Sequence, residues 1–407
     1  MEIVSAISFV ISIFLTIVGA YFVVIMLFAF GRLKKYEEAE PATKFAVIIP
    51  ARNEETVIAG IVGSLNAQEY PPELFDVYVA PNNCKDGTES AAREAGADII
   101  KCENPVHYKG DVLKEAFEQL SGRGYDAFCV FDADNIAAPD YFRKMNNAFK
   151  SGARVCKSRR MTKNPYNSQV SGSYTLYFEI FNLLFNRARS NLGLSSPIDG
   201  TGFAISREVI EKIGGWSTES ITEDAEITAI MALAGECVEW VPDAITYDEQ
   251  PTTWTSSFHQ RMRWCSGFFL VSKKMMPKIF TKLAKRGQRF QIFDEIMILT
   301  MPYTQAAGVV SAAAGLAIAV YGGAPAVAGL GITIVVSYLA ASVFAAALSA
   351  AAGYNVARMW KGILTFPVFM VMWFPIQLFA IFHKTSDWRN MRHTGVSEKD
   401  GLAKPRV

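Results

Sequence analysis

Hydrophobic positions gather in three long blocks, and between the first and second lies a stretch of ordinary soluble character. From Glu2 to Arg32 no charged residue interrupts a run rich in Ile, Val, Phe and Leu. Crossing a bilayer takes about 20 apolar residues, so this run is long enough. From about residue 44 to 250, short apolar runs alternate with helical patterns. The spacing predicts strands over 45–49, 75–80, 98–101 and 126–131, and helices over 55–66, 88–95 and 109–120. Strands and helices alternating at that interval predict a parallel sheet with crossover helices.

The second block begins after Glu295 and stays uncharged until Arg358. Tyr321-Gly-Gly-Ala-Pro325 breaks it, which predicts two spans joined by a short turn. The third block, 362–383, has Arg358 and Lys361 before it and Lys384, Arg389 and Arg392 after it, with Pro367 and Pro375 inside. Positive charge on both flanks and internal prolines favour an interfacial or re-entrant helix over a transmembrane one. That choice leaves the tail in the cytoplasm. The first block is followed, not preceded, by Arg32, Lys34 and Lys35. It therefore reads as a signal anchor with its N-terminus outside and the next domain cytoplasmic.

The expected organisation is an anchor over 1–31, a cytosolic domain over 40–250 and basic interfacial helices over 251–293. Two transmembrane helices follow over 294–350, then the 362–383 segment and a cytosolic loop and tail over 384–407.

Composition sharpens this picture. Of 407 residues, 51% are hydrophobic and 19% charged, and the mean hydropathy is +0.17. Those values exclude a disordered chain. The net charge of +1 gives no global field for nucleic acid. Six cysteines form no C-x-x-C pair and four histidines no ligand pattern, so a thiolate or imidazole metal site is not expected. Free cysteines in such a domain fit a reducing compartment. From Gln250 to Phe293 there is no acidic residue but nine basic ones, interleaved with aromatic and aliphatic residues such as Phe258, Trp264, Phe280 and Leu283. Beside a membrane span, that pattern fits the anionic cytoplasmic leaflet better than nucleic acid.

Three strings can carry chemistry. Asp132-Ala133-Asp134 directly follows an apolar strand, where open parallel sheets bind ligands, and its carboxylates suit a hard divalent cation that also holds phosphate oxygens. Thr222-Glu223-Asp224 precedes a helical run over 225–233. Its acids either complement the helix dipole behind a Thr222 cap or supply a general base. Gln260-Arg261-Met262-Arg263-Trp264 sets Gln260, Arg263 and Trp264 on one helical face. An amide and a guanidinium there suit a diphosphate and an indole a sugar ring, or the segment simply anchors an interfacial helix.

The order of these strings, with Pro50-Ala51-Arg52-Asn53-Glu54 after the first strand, resembles the membrane-bound family 2 glycosyltransferases. That group includes the cellulose, chitin, hyaluronan and poly-N-acetylglucosamine synthases. The resemblance runs from about residue 40 to 395. It implies a GT-A-type α/β nucleotide-sugar domain with a mostly parallel sheet, plus transmembrane and interfacial helices. It also implies that Pro50, Ala51, Arg52, Asn53 and Glu54 line the nucleotide pocket, and that Asp132 and Asp134 hold magnesium or manganese against the donor diphosphate. Asp224, beside Glu223, would be the base. Gln260 and Arg263 would steady the leaving diphosphate and Trp264 would stack on the acceptor. Gly200, Thr201 and Gly202 would shape the acceptor side, Lys109 would lie near the donor, and Trp388, with Arg392-His393-Thr394, would close over the nucleotide. The family commonly has an aspartate at the end of the second strand that contacts uracil. This chain has Asn82, with Asp86 as another candidate for that role.

The resemblance thus implies an inverting, metal-dependent transfer of N-acetylglucosamine or glucose from a UDP-sugar to a growing glycan at the cytosolic face of the plasma membrane. A single transfer to a lipid acceptor is the alternative. A silent scaffold subunit of an export complex is a third reading, disfavoured because Asp132, Asp134 and Asp224 are all kept. Membrane lipids are expected partners, nucleic acid is not, and an oligomer or accessory subunit is compatible with the sequence.

Overall fold

The computed structural model describes residues 2–283 and 288–383. After helix α1 (Glu2–Leu27) come β1 (Phe45–Ala51), α2 (Ile58–Asn66), β2 (Phe75–Pro81), α3 (Thr88–Glu94), β3 (Asp98–Ile99) and α4 (Lys109–Leu120). Then follow β4 (Ala127–Val130), β5 (Ile136–Ala137), α5 (Tyr141–Lys150), β6 (Val155–Thr162) and α6 (Gln169–Ile180). A π-helical turn, Phe181–Asn186, joins α6 to α7 (Arg187–Leu192), ahead of β7 (Phe203–Ser206), α8 (Arg207–Lys212), α9 (Glu223–Ala234) and β8 (Val238–Asp248). The remainder is helical: α10 (Trp254–Lys282), α11 (Arg289–Leu299), α12 (Met301–Tyr321), α13 (Ala324–Ala351), α14 (Trp360–Val371) and α15 (Trp373–Phe382).

The strands form one sheet in the order β3-β2-β1-β4-β7-β6-β8-β5. The β3-β2-β1-β4 half is parallel, as the alternating pattern predicts, whereas β7 runs antiparallel to both β4 and β6. Alternation along β1 divides the core. Phe45, Val47 and Ile49 pack with Ile58, Ile61 and Phe142 on one face. Ala46 and Ile48 pack with Leu113, Phe117 and Trp216 on the other. A strand buried on both faces carries apolar residues at every position, so its run was readable without a polar alternation.

β6 is the exception to that logic, for all eight of its residues are buried although they include Lys157, Arg159 and Arg160. Each cation is paired: Lys157 with Asp199 at 2.7 Å, Arg159 with Glu179 at 3.0 Å, and Arg160 with Asp248. Unpaired, such buried charges would be prohibitively costly.

Helix starts differ from the sequence reading where side chains tie down a turn. α2 begins at Ile58 rather than 55, because Glu54 N–H donates to Thr88 Oγ1 and Glu55 Oε2 accepts from Gly87 N–H. α9 begins at Glu223 rather than 225. The expected boundary at 294 falls inside α11, which packs on α9 and α10 through Ile292, Ile296 and Leu299, so the apolar helix α12 starts only at Met301.

Among the described residues four helical stretches are long and apolar enough to cross a membrane: Val4–Phe30, Met301–Tyr321, Ala324–Ala351 and Trp360–Phe382. In the last, 44% of the most apolar stretch is buried, against 6% in α12 and α13. α14 crosses α6 at a glycine pair, where a Cβ on Gly362 would lie 2.9 Å from the Gly172 Cα. α15 packs on α10 through Trp373 and Ile376 against Met262 and Cys265.

Candidate active site

The sheet register assembles the site. β1, β2 and β4 run parallel, β1 and β2 ending together with Ala51 opposite Pro81 and β4 ending three positions earlier with Val130 opposite Ile48. Arg52–Glu54, Asn82 and Asp132 therefore leave the same edge, at the point where strand order reverses and ligands bind in such sheets. β7 meets β4 with Val130 opposite Phe203, so the antiparallel register sets Thr201 abreast of Asp132. The Asp132 N–H donates to Thr201 Oγ1 at 3.0 Å, and that hydroxyl in turn donates to Asn135 Oδ1.

Lys109 opens α4, whose start is fixed by Asp111 accepting from the His107 and Tyr108 N–H groups at 2.8 and 3.0 Å. Its ammonium lies 2.5 Å from Asp132 Oδ1, 2.6 Å from the Gly200 carbonyl and 3.3 Å from Glu223 Oε1. Burial would lower this lysine's pKa, but Asp132 and Glu223 outweigh it and hold the ammonium above its ordinary value.

Gly200 has φ +90°, and a Cβ there would lie 3.4 Å from Asp224 Oδ2 and 3.9 Å from Asp132 Oδ2. The two carboxylates flank one bare Cα. Burial, with Glu223 beside it, raises Asp224 from 3.8 to about 7, although the Ala225 N–H and Lys109 pull it down. A carboxylate near neutrality is matched to taking a proton from a hydroxyl.

Asp134 is buried, and desolvation with the nearby Asp248 and Asp132 carboxylates holds it well above the usual carboxylate range. Oxygen donors crowded in this way suit a hard divalent cation, so Asp132 and Asp134 fit magnesium or manganese. Among the described residues no group of three or more His, Cys, Asp or Glu side chains is arranged to hold an ion. Diphosphate oxygens and water would complete its shell.

Beneath this loop lies a buried network absent from the sequence reading. Arg160 donates to Asp248 and, at 2.7 Å, to the Asp199 carbonyl; Asn135 and Gln250 donate to Asp248 at 3.2 and 2.6 Å. It fixes the loops carrying Asp134 and Gly200. The available signal was Lys157-Ser-Arg-Arg160, three cations in a run that otherwise reads as a strand.

The remaining expected residues divide by position. Pro50 and Ala51 belong to β1, and the Ala51 carbonyl accepts from the Asn82 backbone N–H at 2.9 Å and from Asn82 Nδ2 at 3.0 Å. That leaves Asn82 Oδ1 buried without a partner among the described residues. Asp86 is occupied by its turn, accepting from Thr88 Oγ1, Thr88 N–H and Glu55 N–H, which lower its pKa against the opposing effect of burial. Asn53, at φ 55°, accepts from Lys85 N–H, while Arg52 and Glu54 are half-buried at the same edge. Thr201 is buried beneath Asp132, and Gly202 is required because a Cβ would lie 3.1 Å from Thr246 Cβ, with Ser158 Oγ closer still. Both positions build the loop.

On α10, Gln260 is buried with Oε1 unpartnered among the described residues, and Arg263 and Trp264 are half-buried. Trp264 stacks on Trp373, with centroids 6.1 Å apart, and meets Tyr174 edge-on. Arg261 is buried inside the protein, its guanidinium 4.4 Å from the Phe369 ring centroid. Thr222 holds the N-cap position of α9, but its hydroxyl caps nothing. Trp388, Arg392, His393 and Thr394 lie outside the described residues.

Residues 41–267 match the family described as glycosyltransferase like family 2. The chain belongs to that family. It is 30% identical over 268 residues to the probable glycosyltransferase YdaM of Bacillus subtilis, covering 63% of this chain and 62% of that one. It is 26% identical over 250 residues to the beta-monoglucosyldiacylglycerol synthase of Trichormus variabilis, covering 58% of this chain and 52% of that one. The chain therefore spans about three fifths and about half of those two relatives' lengths. The mannosyltransferase PcManGT from Pyrobaculum calidifontis, solved with GDP-Man and Mn2+, superposes with a TM-score of 0.64 over 92% of this chain and 99% of its own, at 19% identity. That likeness shows the GT-A-type fold.

Proposed function

We propose that the chain transfers a hexosyl group, glucose or N-acetylglucosamine, from a UDP-sugar to a hydroxyl at the cytoplasmic face of the plasma membrane, with inversion and with magnesium or manganese. What carries this reading is the single cluster in which Asp132, Lys109 and Asp224 surround Gly200. On one side Asp132, Asp134 and Lys109 face the donor diphosphate. On the other, Asp224 Oδ2 takes the acceptor proton as the acceptor oxygen bonds the anomeric carbon and the glycosyl–diphosphate bond breaks. The electron pair leaves on the diphosphate, and inversion follows from a single displacement with no covalent intermediate. A bound divalent ion would neutralise the departing diphosphate. Asn82 presents an oxygen, which suits the imide N–H of uracil.

The acceptor we favour is a membrane lipid or glycolipid hydroxyl. An apolar crevice of about 540 Å³ lies between α1 and α11, lined by Phe14, Ile17, Val24, Phe293, Met297 and Thr300. Its α11 end is tied to the site: the Leu299 carbonyl accepts from Ser272 on α10, five residues beyond the Gly267 that packs on Thr222. Five helical residues are about 7.5 Å. A growing glycan is the second reading, favoured by the Trp264–Trp373 stack beside the Gln260–Arg263 face.

The test is nucleoside diphosphate release, UDP or GDP, by purified protein in detergent with Mn2+ across a donor panel of UDP-sugars and GDP-mannose, with product analysis from a lipid extract. One donor giving a single lipid-linked product, lost in Asp224→Asn, is expected. A ladder of products supports the glycan reading. Turnover that survives Asp224→Asn removes the proposed base.

A further inference from the structure

The proposed reading leaves one arrangement unexplained, for the carboxylate that would hold the metal already holds a cation. Lys109 Nζ lies 2.5 Å from Asp132 Oδ1 and 3.3 Å from Glu223 Oε1, and its side chain is only 11% exposed. An ammonium seated on Asp132 Oδ1 repels an incoming divalent ion and takes one of the two oxygens that carboxylate can offer it.

The surroundings limit how Lys109 can give way. The backbone at the start of α4 is fixed by Asp111, and a Cβ on Gly110 would lie 2.6 Å from Thr218 Oγ1, so the helix end is packed tightly. Only the four-carbon side chain is free to swing. A buried ammonium leaves its carboxylates at acceptable cost only if another anion receives it. A bare metal ion brings none, whereas a diphosphate does.

We infer that Lys109 is an internal placeholder for the metal: it occupies the Asp132–Glu223 cluster in the nucleotide-free protein and passes to the donor diphosphate as the nucleotide enters, making divalent-cation binding conditional on nucleotide. This inference rests on the proposed reading of the site as one that takes a nucleoside diphosphate and a divalent ion. Lys109 is here a positioning residue whose transfer orders assembly of the site. Because coupling is reciprocal, Mn2+ raises nucleotide affinity by the same factor by which nucleotide raises Mn2+ affinity.

The experiment is a titration of the full-length protein in detergent with Mn2+ alone, with Mn2+ plus UDP and with Mn2+ plus GDP, reading free Mn2+ by electron paramagnetic resonance and subtracting nucleotide-only controls. In wild type, one of the nucleotides tightens Mn2+ binding by about tenfold or more, a usual size for coupling between sites. In Lys109→Met, Mn2+ alone binds about tenfold tighter than in wild type, the nucleotide effect shrinks, and metal-free nucleotide binds more weakly by calorimetry. A merely structural lysine would not move the two affinities in opposite directions. Lys109→Arg, which keeps a cation, retains the wild-type pattern. Wild type binding Mn2+ equally well with and without nucleotide overturns the inference even if Lys109→Met does not fold, and leaves the transferase reading standing. Unchanged Mn2+ affinity in folded Lys109→Met also overturns it. Donor turnover with no Mn2+ binding under any condition removes both the inference and the metal-dependent part of the proposed function.

Discussion

Gly267 of α10 lies directly over Thr222, so that a Cβ on the glycine would sit 2.7 Å from the threonine Oγ1 and 2.9 Å from Ile221 Cγ2. This contact seats the helix bearing Gln260, Arg263 and Trp264 against the turn bearing Glu223 and Asp224. Gly267→Val should push the two apart. Overpacking of this kind costs about 1–3 kcal/mol. We expect a lowered unfolding midpoint, a fall in kcat larger than any rise in KM for the donor, and milder losses in Gly267→Ala. Thermal melts and initial rates on the same preparations check this.

Asp224 is raised from 3.8 to about 7 by burial and by Glu223, and that shift has two consequences of opposite sense. As the base it acts only when ionised, so kcat/KM should climb with pH and level off above about 7. Asp224→Asn should lose about 10²–10⁴-fold in rate, the usual worth of a positioned base. For stability the sign reverses. Below 3.8 the carboxyl is protonated whether the chain is folded or not. As pH rises through about 7 the folded protein must ionise a buried acid, and stability is lost. Asp224→Asn should therefore melt above wild type at pH 8, with the gap closing toward pH 4 (melts across pH read both limbs).

The parts of the fold that the sequence disclosed are those governed by local pattern. The unbroken apolar run of β1, the Lys109–Leu120 helix and the glycine break between α12 and α13 each report their own environment. β6 was invisible as a buried strand because its burial depends on Asp199, Glu179 and Asp248, brought to it from elsewhere in the chain. The Asp132, Lys109, Gly200 and Asp224 strings were legible as polar motifs at element ends. That Thr201 would lie under Asp132 and accept its backbone N–H follows from the antiparallel register of β7, which no local pattern announces. Gly267 and Gly362 likewise read as ordinary helix glycines until their neighbours are known.

Arg160 and Asp248 offer a test of the buried network beneath the D-x-D loop. Removing one partner of a buried pair costs about 3–5 kcal/mol, because the other charge stays uncompensated. Arg160→Met should thus be strongly destabilised and inactive. Arg160→Met with Asp248→Leu should recover a substantial part of the melting temperature without recovering activity, because Asn135 and Gln250 also bond Asp248. Recovery of neither would show that the bonds outside the pair, from Asn135 and Gln250 to Asp248 and from Arg160 to the Asp199 carbonyl, outweigh the pair itself.

The glycine pair at the crossing of α6 and α14 makes a last prediction. With a Gly362 Cβ only 2.9 Å from the Gly172 Cα, the two backbones touch, and neither helix can yield without moving its neighbours. Gly362→Val should lift α14 off α6 and, through α15, disturb the Trp373 surface on which Trp264 stacks. Activity should fall although the substitution touches no residue of the Asp132–Asp224 cluster. Gly329→Val, on α13 where nothing lies within 4 Å of the added atom, is the matched control and should leave rate and melting temperature unchanged. If Gly362→Val keeps full activity while its melting temperature drops, the α14–α15 stretch serves stability alone. If both fall together, its packing also sets the position of the Gln260–Trp264 face.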